Sequence, residues 1–345
     1  SIFNLMGYKV DKAYKYLLKN SELSEKEFFK WKDKKRWEIV NYHFKNNSFY
    51  RNKFSSGEIP KNWSDLPIMQ KSDFQGSVDN FLSKGSNRFN SYFSNTSGSS
   101  GHPMSFAKDK FTHSLNWAFW KIRYLELGLD INSLEARFYG TSYEPVGHFI
   151  DKLKDFILNR TRYPIYDLSD LQLDKILKDF SIKKFDYIYG STSAITLFCR
   201  YLSKKKINLS KICPSLKVVI VTSEVCTNED RILIEKTTGL KVFSEYGTSE
   251  VGYLTKECRY KNWHILENLV HIESSEKSEL IVTDLFNIAQ PFIRYKVGDL
   301  GEIKKNDCHC ANRGDIIYNF NGRVNDIIYL PSGKVAGGMT FYYIS

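Results

Sequence analysis

The stretch from residue 216 to 243 constrains the fold most. Residues 216–221 form a β-branched run (Leu-Lys-Val-Val-Ile-Val), as expected of a strand buried on both faces. Thr227 can then cap a helix over 228–238, because its hydroxyl closes an open amide of the first turn, and Gly239 can end it. Residues 241–243 return as a strand. Strand, helix and strand in so short a span make a βαβ unit. Further strand signals at 89–94, 136–139 and 187–189, the last two ending at Gly140 and Gly190, predict a mostly parallel sheet flanked by helices, the α/β class.

The pattern changes after about residue 260. Alternating runs at 269–273, 280–283, 292–295, 301–304, 316–320 and 327–330 predict an antiparallel or β-barrel-like subdomain. Near the start, Ser24 and Glu27 form a capping box, and the helix it opens carries Phe29, Trp37, Val40 and Phe44 near helical spacing. The expected organisation is a helical region over 1–95, an α/β nucleotide-binding core over 96–255, a β-rich subdomain over 256–324, and a hinge with the start of a further domain over 325–345.

Among 345 residues, 50 Lys and Arg outweigh 39 Asp and Glu, for a net charge of +11. Such a balance suits an anionic ligand, nucleic acid or lipid. The charge is dispersed, with clusters only at 32–36 and 204–206 that read as solvated helix faces or ends, so no nucleic-acid stripe is expected. No run approaches the roughly 20 apolar residues of a membrane span. The first residues show neither an initiator Met nor a signal peptide, so missing upstream residues and a cytoplasmic location are the expectation.

Four segments carry candidate chemistry. Thr96, Ser97, Gly98, Ser99, Ser100 and Gly101 follow a predicted strand and offer hydroxyls and unhindered amides that can wrap phosphate oxygens, although a flexible linker has the same composition. The Walker lysine is missing, so this is not that kind of loop. Ser244 to Glu250 follows the last strand of the βαβ unit, where parallel sheets bind ligands. There an exposed Tyr246 can stack on a base and Glu250 can hold Mg2+, or the segment is a polar turn. Gly298-Asp299 places a carboxylate past a strand, able to accept two hydrogen bonds from a ribose diol. Gly322-Arg323-Val324-Asn325-Asp326 is by itself only a turn.

Together and in this order, the four segments resemble the adenylate-forming superfamily of acyl-CoA synthetases and adenylation domains: its Ser/Thr/Gly-rich phosphate loop, its Tyr-Gly-x-x-Glu element, its ribose-binding Gly-Asp and its Gly-Arg-x-x-Asp hinge. Asn47-Ser48-Phe49-Tyr50-Arg51 and Leu66-Pro67-Ile68-Met69-Gln70-Lys71 resemble the phenylacetate–CoA ligase family, and 329–335 leans towards its capsular-polysaccharide-biosynthesis relatives. The resemblance runs from about residue 35 to the end. It implies the large N-terminal domain of an ATP-dependent ligase, with the small C-terminal domain and its catalytic lysine absent from the chain as given.

The resemblance also implies roles. Thr96 to Gly101 would hold the β- and γ-phosphates. Tyr246 would stack on adenine, with Ser223, Glu224 and Gly247 around the base. Glu250 would bind Mg2+, with Thr248 or Ser249 near the α-phosphate. Asp299 would hold the ribose, Arg323 would assist, and Asn325 and Asp326 would form the hinge. Tyr139, Tyr143 and Tyr189 would line an acid pocket or, the favoured reading, belong to the core. Three positions depart from the pattern: Met104 where many members have Lys, Ser278 in place of Gly, and Val297 in place of Thr. The implied reaction joins a small-molecule carboxylic acid to ATP as an acyl-adenylate, then passes it to coenzyme A or to an amine. A catalytically silent nucleotide-binding relative and a basic nucleic-acid binder are the competing classes.

Of six cysteines, Cys199, Cys213 and Cys226 sit singly beside apolar residues. Cys258, His264, Cys308 and Cys310 instead form a Cys-x5-His and Cys-x-Cys set suited to tetrahedral structural zinc. His309 is an alternative to His264, and free thiols are the bland reading.

Overall fold

The structure, a computed structural model, describes residues 6–96, 103–140, 145–164, 168–323, 327–329 and 335–337. It divides into two compact units. The first is Ser1–Trp120 together with Gly247–Ser345, and the second is Lys121–Tyr246.

The first leg of the first unit contains helices α1 (Val10–Ser21), α2 (Glu25–Asn46) and the single turn α3 (Ser48–Arg51). Strands β1 (Ser91–Asn95) and β2 (Ser105–Asp109) follow, then the start of α4 (Lys110–Glu126). The capping box forms as expected: Ser24 N donates to Glu27 Oε2 at 2.9 Å, and the Ser24 hydroxyl accepts from the Glu27 amide. The buried face of α2 differs from the expected stripe. It consists of Phe28, Ile39, Val40 and His43, while Phe29 is exposed. Apolar residues lie on adjoining faces of this helix, and tertiary packing selects between them; Phe28 stacks on Trp31 at 5.5 Å. The cluster at 32–36 is also less solvated than expected. Lys32 pairs with buried Glu267, and the Arg36 guanidinium lies 4.6 Å above the Trp63 ring.

The second unit alternates β3 (Glu135–Phe138), α5 (Pro145–Ile157), β4 (Arg160–Tyr163), α6 (Asp170–Ile182), β5 (Tyr187–Ser191), α7 (Thr192–Lys204), the short α8 (Leu209–Ile212), β6 (Val218–Thr222), α9 (Asn228–Thr238) and β7 (Val242–Thr248). Its strands run parallel in the order β7-β6-β5-β3-β4. The α9 bounds match the sequence expectation, with Thr227 in a capping box and Gly239 left-handed at φ +74. Phe138, Phe180, Phe185, Phe198, Val219 and Val221 are among the side chains of its core. Gly190 fits because a Cβ there would lie 2.2 Å from the carbonyl oxygen of Phe138 on the neighbouring strand.

The second leg of the first unit is antiparallel. It contains β8 (Gly252–Glu257), β9 (Trp263–Ile265), β10 (Val270–Ser274), β11 (Glu279–Asp284), β12 (Tyr295–Lys304), β13 (Ile316–Arg323), β14 (Ile327–Tyr329) and β15 (Val335–Gly337). The order is β10-β11-β12-β13-β9-β8, with β14 and β15 paired separately. The strand expected at 292–295 is absent, and β12 begins only at Tyr295. Arg294 has φ +46, outside strand geometry, and its guanidinium donates to the carbonyls of Ser64 (2.6 Å) and Leu66 (2.8 Å). Among the described residues no helix is long and apolar enough to cross a membrane.

Candidate functional site

In the first unit, β1 and β2 pair antiparallel out to Asn95 and Ser105, and the Ser/Gly segment lies between these strands in the sequence. Ser97, Gly98, Ser99, Ser100 and Gly101 lie outside the described residues. Thr96 closes the neck: its amide donates to Met104 O and its hydroxyl accepts from Met104 N, both at 2.9 Å. Met104 is buried, an apolar anchor where many members of the resembling superfamily carry a lysine.

Glu250 lies in the turn between β7 and β8. Close approach fixes that turn. A Cβ on Gly247 would meet Gly252 O at 2.4 Å. Gly252 has φ +110, and a Cβ on it would overlap the Asn116 side chain. Asn116 Oδ1 accepts from Tyr253 N at 3.1 Å, and Thr248 Oγ1 accepts from Val251 N at 3.2 Å. Ser249 is exposed while Glu250 is buried.

Two further buried charges went unseen in the sequence. Lys108 on β2 is 4% exposed, and burial pushes its ammonium down to about 8 against the opposing pull of Asp284 and Glu250. Asp284, ending β11, is pushed up to about 6 by burial. Its Oδ1 accepts from the amides of Phe286 (2.9 Å) and Asn287 (3.0 Å), while Oδ2 has no partner among the described residues. A small cavity lined by Thr112, Asn116, Val251 and Asp284 adjoins it. The one available signal was the period-two alternation that places Lys108 on the same face of β2 as buried Phe106.

The β12–β13 register sets Asp299 directly opposite Arg323. A bulge between Leu300 and Glu302 re-aims the strand just beyond, and Asp299 is buried. Two motifs separated in sequence thus become cross-strand neighbours. Asn325 and Asp326 lie outside the described residues.

In the second unit, Ser223 and Tyr246 lie at the C-terminal ends of β6 and β7. Ser223 has φ +70, a costly conformation for a non-glycine residue, and its hydroxyl is 3.2 Å from that of Tyr139. Glu224 is committed locally. Its carboxylate accepts from Ser193 N (2.7 Å) and Ser193 Oγ (3.1 Å), capping the N-terminus of α7. Tyr246, expected to be exposed, is buried at 8% exposure, as are its strand neighbours Ser244 and Glu245. Arg137 lies over the rings of Tyr189 (4.6 Å) and Tyr139 (5.0 Å), with its charge met by Glu135 at 2.7 Å. Tyr143 is outside the described residues.

The cysteine set converges within the first unit. The ligand atoms of Cys258, His264, Cys308 and Cys310 all lie within 4.8 Å of one another. Cys258 Sγ and Cys308 Sγ are 3.7 Å apart, close to the roughly 3.8 Å edge of a tetrahedron with metal–sulfur bonds of about 2.3 Å. His264 Nε2 points at Cys310 Sγ (3.1 Å), while Nδ1 lies 3.4 Å from Gly314 O, the second partner that orients a ligating imidazole. Tyr260 N and Asn262 Nδ2 donate to the sulfurs of Cys258 (3.4 Å) and Cys308 (3.2 Å). Gly314 has φ +93, and a Cβ there would strike Ile265 O at 2.2 Å. His309, the alternative ligand, is exposed. Three cysteine sulfurs and an oriented imidazole fit tetrahedral zinc in both donor chemistry and spacing.

This architecture is the fold of the large domain of adenylate-forming enzymes. Among solved structures it is similar to 2-hydroxyisobutyryl-CoA ligase in the postadenylation state with 2-HIB-AMP (TM-score 0.69, 16% identity, covering 91% of this chain and 71% of that one). It is also similar to an open conformation of that ligase with 2-HIB-AMP and CoA (TM-score 0.66, 15% identity, 91% and 79%). In sequence the chain is similar to Protein CapK of Staphylococcus aureus, 25% identical over 318 residues, which cover 88% of this chain and 69% of that protein. No protein-family profile matches.

Proposed function

We propose that the protein activates a carboxylic acid with ATP, forming an acyl-adenylate and pyrophosphate, and that the acyl group then passes to the thiol of coenzyme A. The observation that carries this reading is the β12–β13 register, which brings the Gly-Asp and Gly-Arg motifs opposite each other on a fold shared with such a ligase. In the first half-reaction a carboxylate oxygen attacks the α-phosphorus, and the bond to the β-phosphate bridging oxygen breaks. In the roles that the resemblance implies, Asp299 accepts hydrogen bonds from the ribose hydroxyls, Tyr246 stacks on the base with Ser223, Glu224 and Gly247 around it, and Thr96 to Gly101 hold the β- and γ-phosphates. Thr248 and Ser249 flank the α-phosphate, where Arg323 assists. Catalysis rests on positioning and on neutralising charge. Glu250 would hold Mg2+, which when bound would supply part of that neutralisation. Asn325 and Asp326 act as the hinge.

Calorimetry with AMP and Mg-ATP tests this reading. Both nucleotides should bind, and Asp299→Asn should weaken AMP binding about tenfold or more, the scale of losing hydrogen bonds to a charged acceptor. A folded sample that binds neither nucleotide overturns this reading. The acceptor is assigned by product analysis of carboxylate-dependent pyrophosphate release: a thioester supports coenzyme A, and an amide supports the amine.

Cys258, His264, Cys308 and Cys310 would bind structural zinc, stapling the β8–β9 turn to the β12–β13 connection. Protein purified without chelator should contain close to one zinc per chain. Cys308→Ser should lower both zinc content and thermal stability, and a metal-free wild-type protein overturns the assignment.

A further inference from the structure

Helix α5 (Pro145–Ile157) presents its apolar side outward. Val146, Phe149, Ile150, Leu153, Phe156 and Ile157 are between 43% and 85% exposed. At about 100° per residue they occupy about 120° of arc, an unbroken stripe. The polar side is the one tied to the protein: the Asp155 carboxylate takes two hydrogen bonds from Arg162 on edge strand β4, at 2.7 and 2.8 Å. A surface helix ordinarily buries its apolar stripe against the core, and a contiguous exposed patch of this kind marks an interaction surface.

The charges around the stripe indicate what covers it. Lys152 and Lys154 lie about 40° beyond its two borders, one on each side, while Asp151 and Asp155 lie on the opposite face. Both lysines are exposed, and among the described residues neither is in an ion pair. Long lysine stems on both borders can lie along an apolar surface while their ammonium groups reach phosphates above it. A second copy fits poorly. Any two-fold pairing of the stripes, parallel or antiparallel, brings a lysine border against a lysine border with both acids facing away. We propose that α5 is a membrane-surface anchor that lies in the headgroup boundary of an anionic bilayer, with its apolar stripe among the acyl chains and Lys152 and Lys154 on lipid phosphates. The net charge of +11 favours the same encounter.

Flotation of the full chain with vesicles tests the proposal, using phosphatidylcholine alone and phosphatidylcholine containing about one third phosphatidylserine. The protein should float with the anionic vesicles. Phe149→Ser with Phe156→Ser should reduce the partition coefficient about tenfold or more. Lys152→Glu with Lys154→Glu should abolish the preference for phosphatidylserine. All four altered residues are exposed, and circular dichroism verifies that each variant keeps the fold. Failure of the wild-type protein to float with either vesicle overturns the proposal. So does a concentration-dependent dimer in sedimentation equilibrium that the phenylalanine substitutions dissolve, which would assign the stripe to a second copy. Neither outcome depends on nucleotide binding.

Discussion

His43 is fully buried between Ser83 Oγ (3.0 Å from Nδ1) and Asn287 O (2.8 Å from Nε2). The carbonyl requires a proton on Nε2, so Nδ1 accepts from the serine and the ring is neutral. Burial lowers its pKa to about 4, and burial likewise lowers His113 and His271 to about 3. Each unfolded imidazole takes up its proton near 6.5, so the unfolded state binds more protons between that pH and the folded value. Stability is therefore fully present above about 6.5 and falls as pH drops towards 4, by roughly 3 kcal/mol for His43 alone. Asp284 opposes this between about 6 and 4, because its folded pKa lies above the unfolded one. Three histidines outweigh one aspartate, and the net expectation is acid lability. Thermal melts from pH 7 to 4 should show a falling midpoint. His43→Gln should be less stable at pH 7, and its deficit should narrow towards pH 4; a constant deficit would contradict the buried neutral imidazole.

At the scale of elements, what could be read from the sequence was what is decided locally. Thr227, Asn228 to Thr238 and Gly239 carry their own start, body and stop signals, and the structure reproduces all three. Thr227→Ala should cost about 1 kcal/mol, read by denaturant titration. The candidate ligand motifs rest on the same local ground, since each is a short run with characteristic chemistry. Features set by distant partners were not. The choice between Phe28 and Phe29 depends on what α2 packs against, and Arg294 leaves strand geometry while reaching carbonyls of Ser64 and Leu66. Lys108 and Asp284 are joined only by the fold. Gly190 read simply as the end of a strand, yet the adjoining strand leaves no room for a side chain. Gly190→Val should destabilise by several kcal/mol or prevent folding, as over-packing against a backbone does.

At the scale of the molecule, the second unit, Lys121–Tyr246, is one continuous stretch of chain, whereas the first is made from two stretches that flank it. The divisions fall inside α4 and inside β7. This arrangement imposes an order on biosynthesis. As the chain leaves the ribosome, the parallel sheet has all its strands once β7 emerges, and it can close using its own residues. The N-terminal helices and the β1–β2 hairpin must wait for β8 to β13, with their apolar faces uncovered in the meantime. The early-made portion is therefore the late-folding one, and in the cell it would be the natural client of a chaperone during translation.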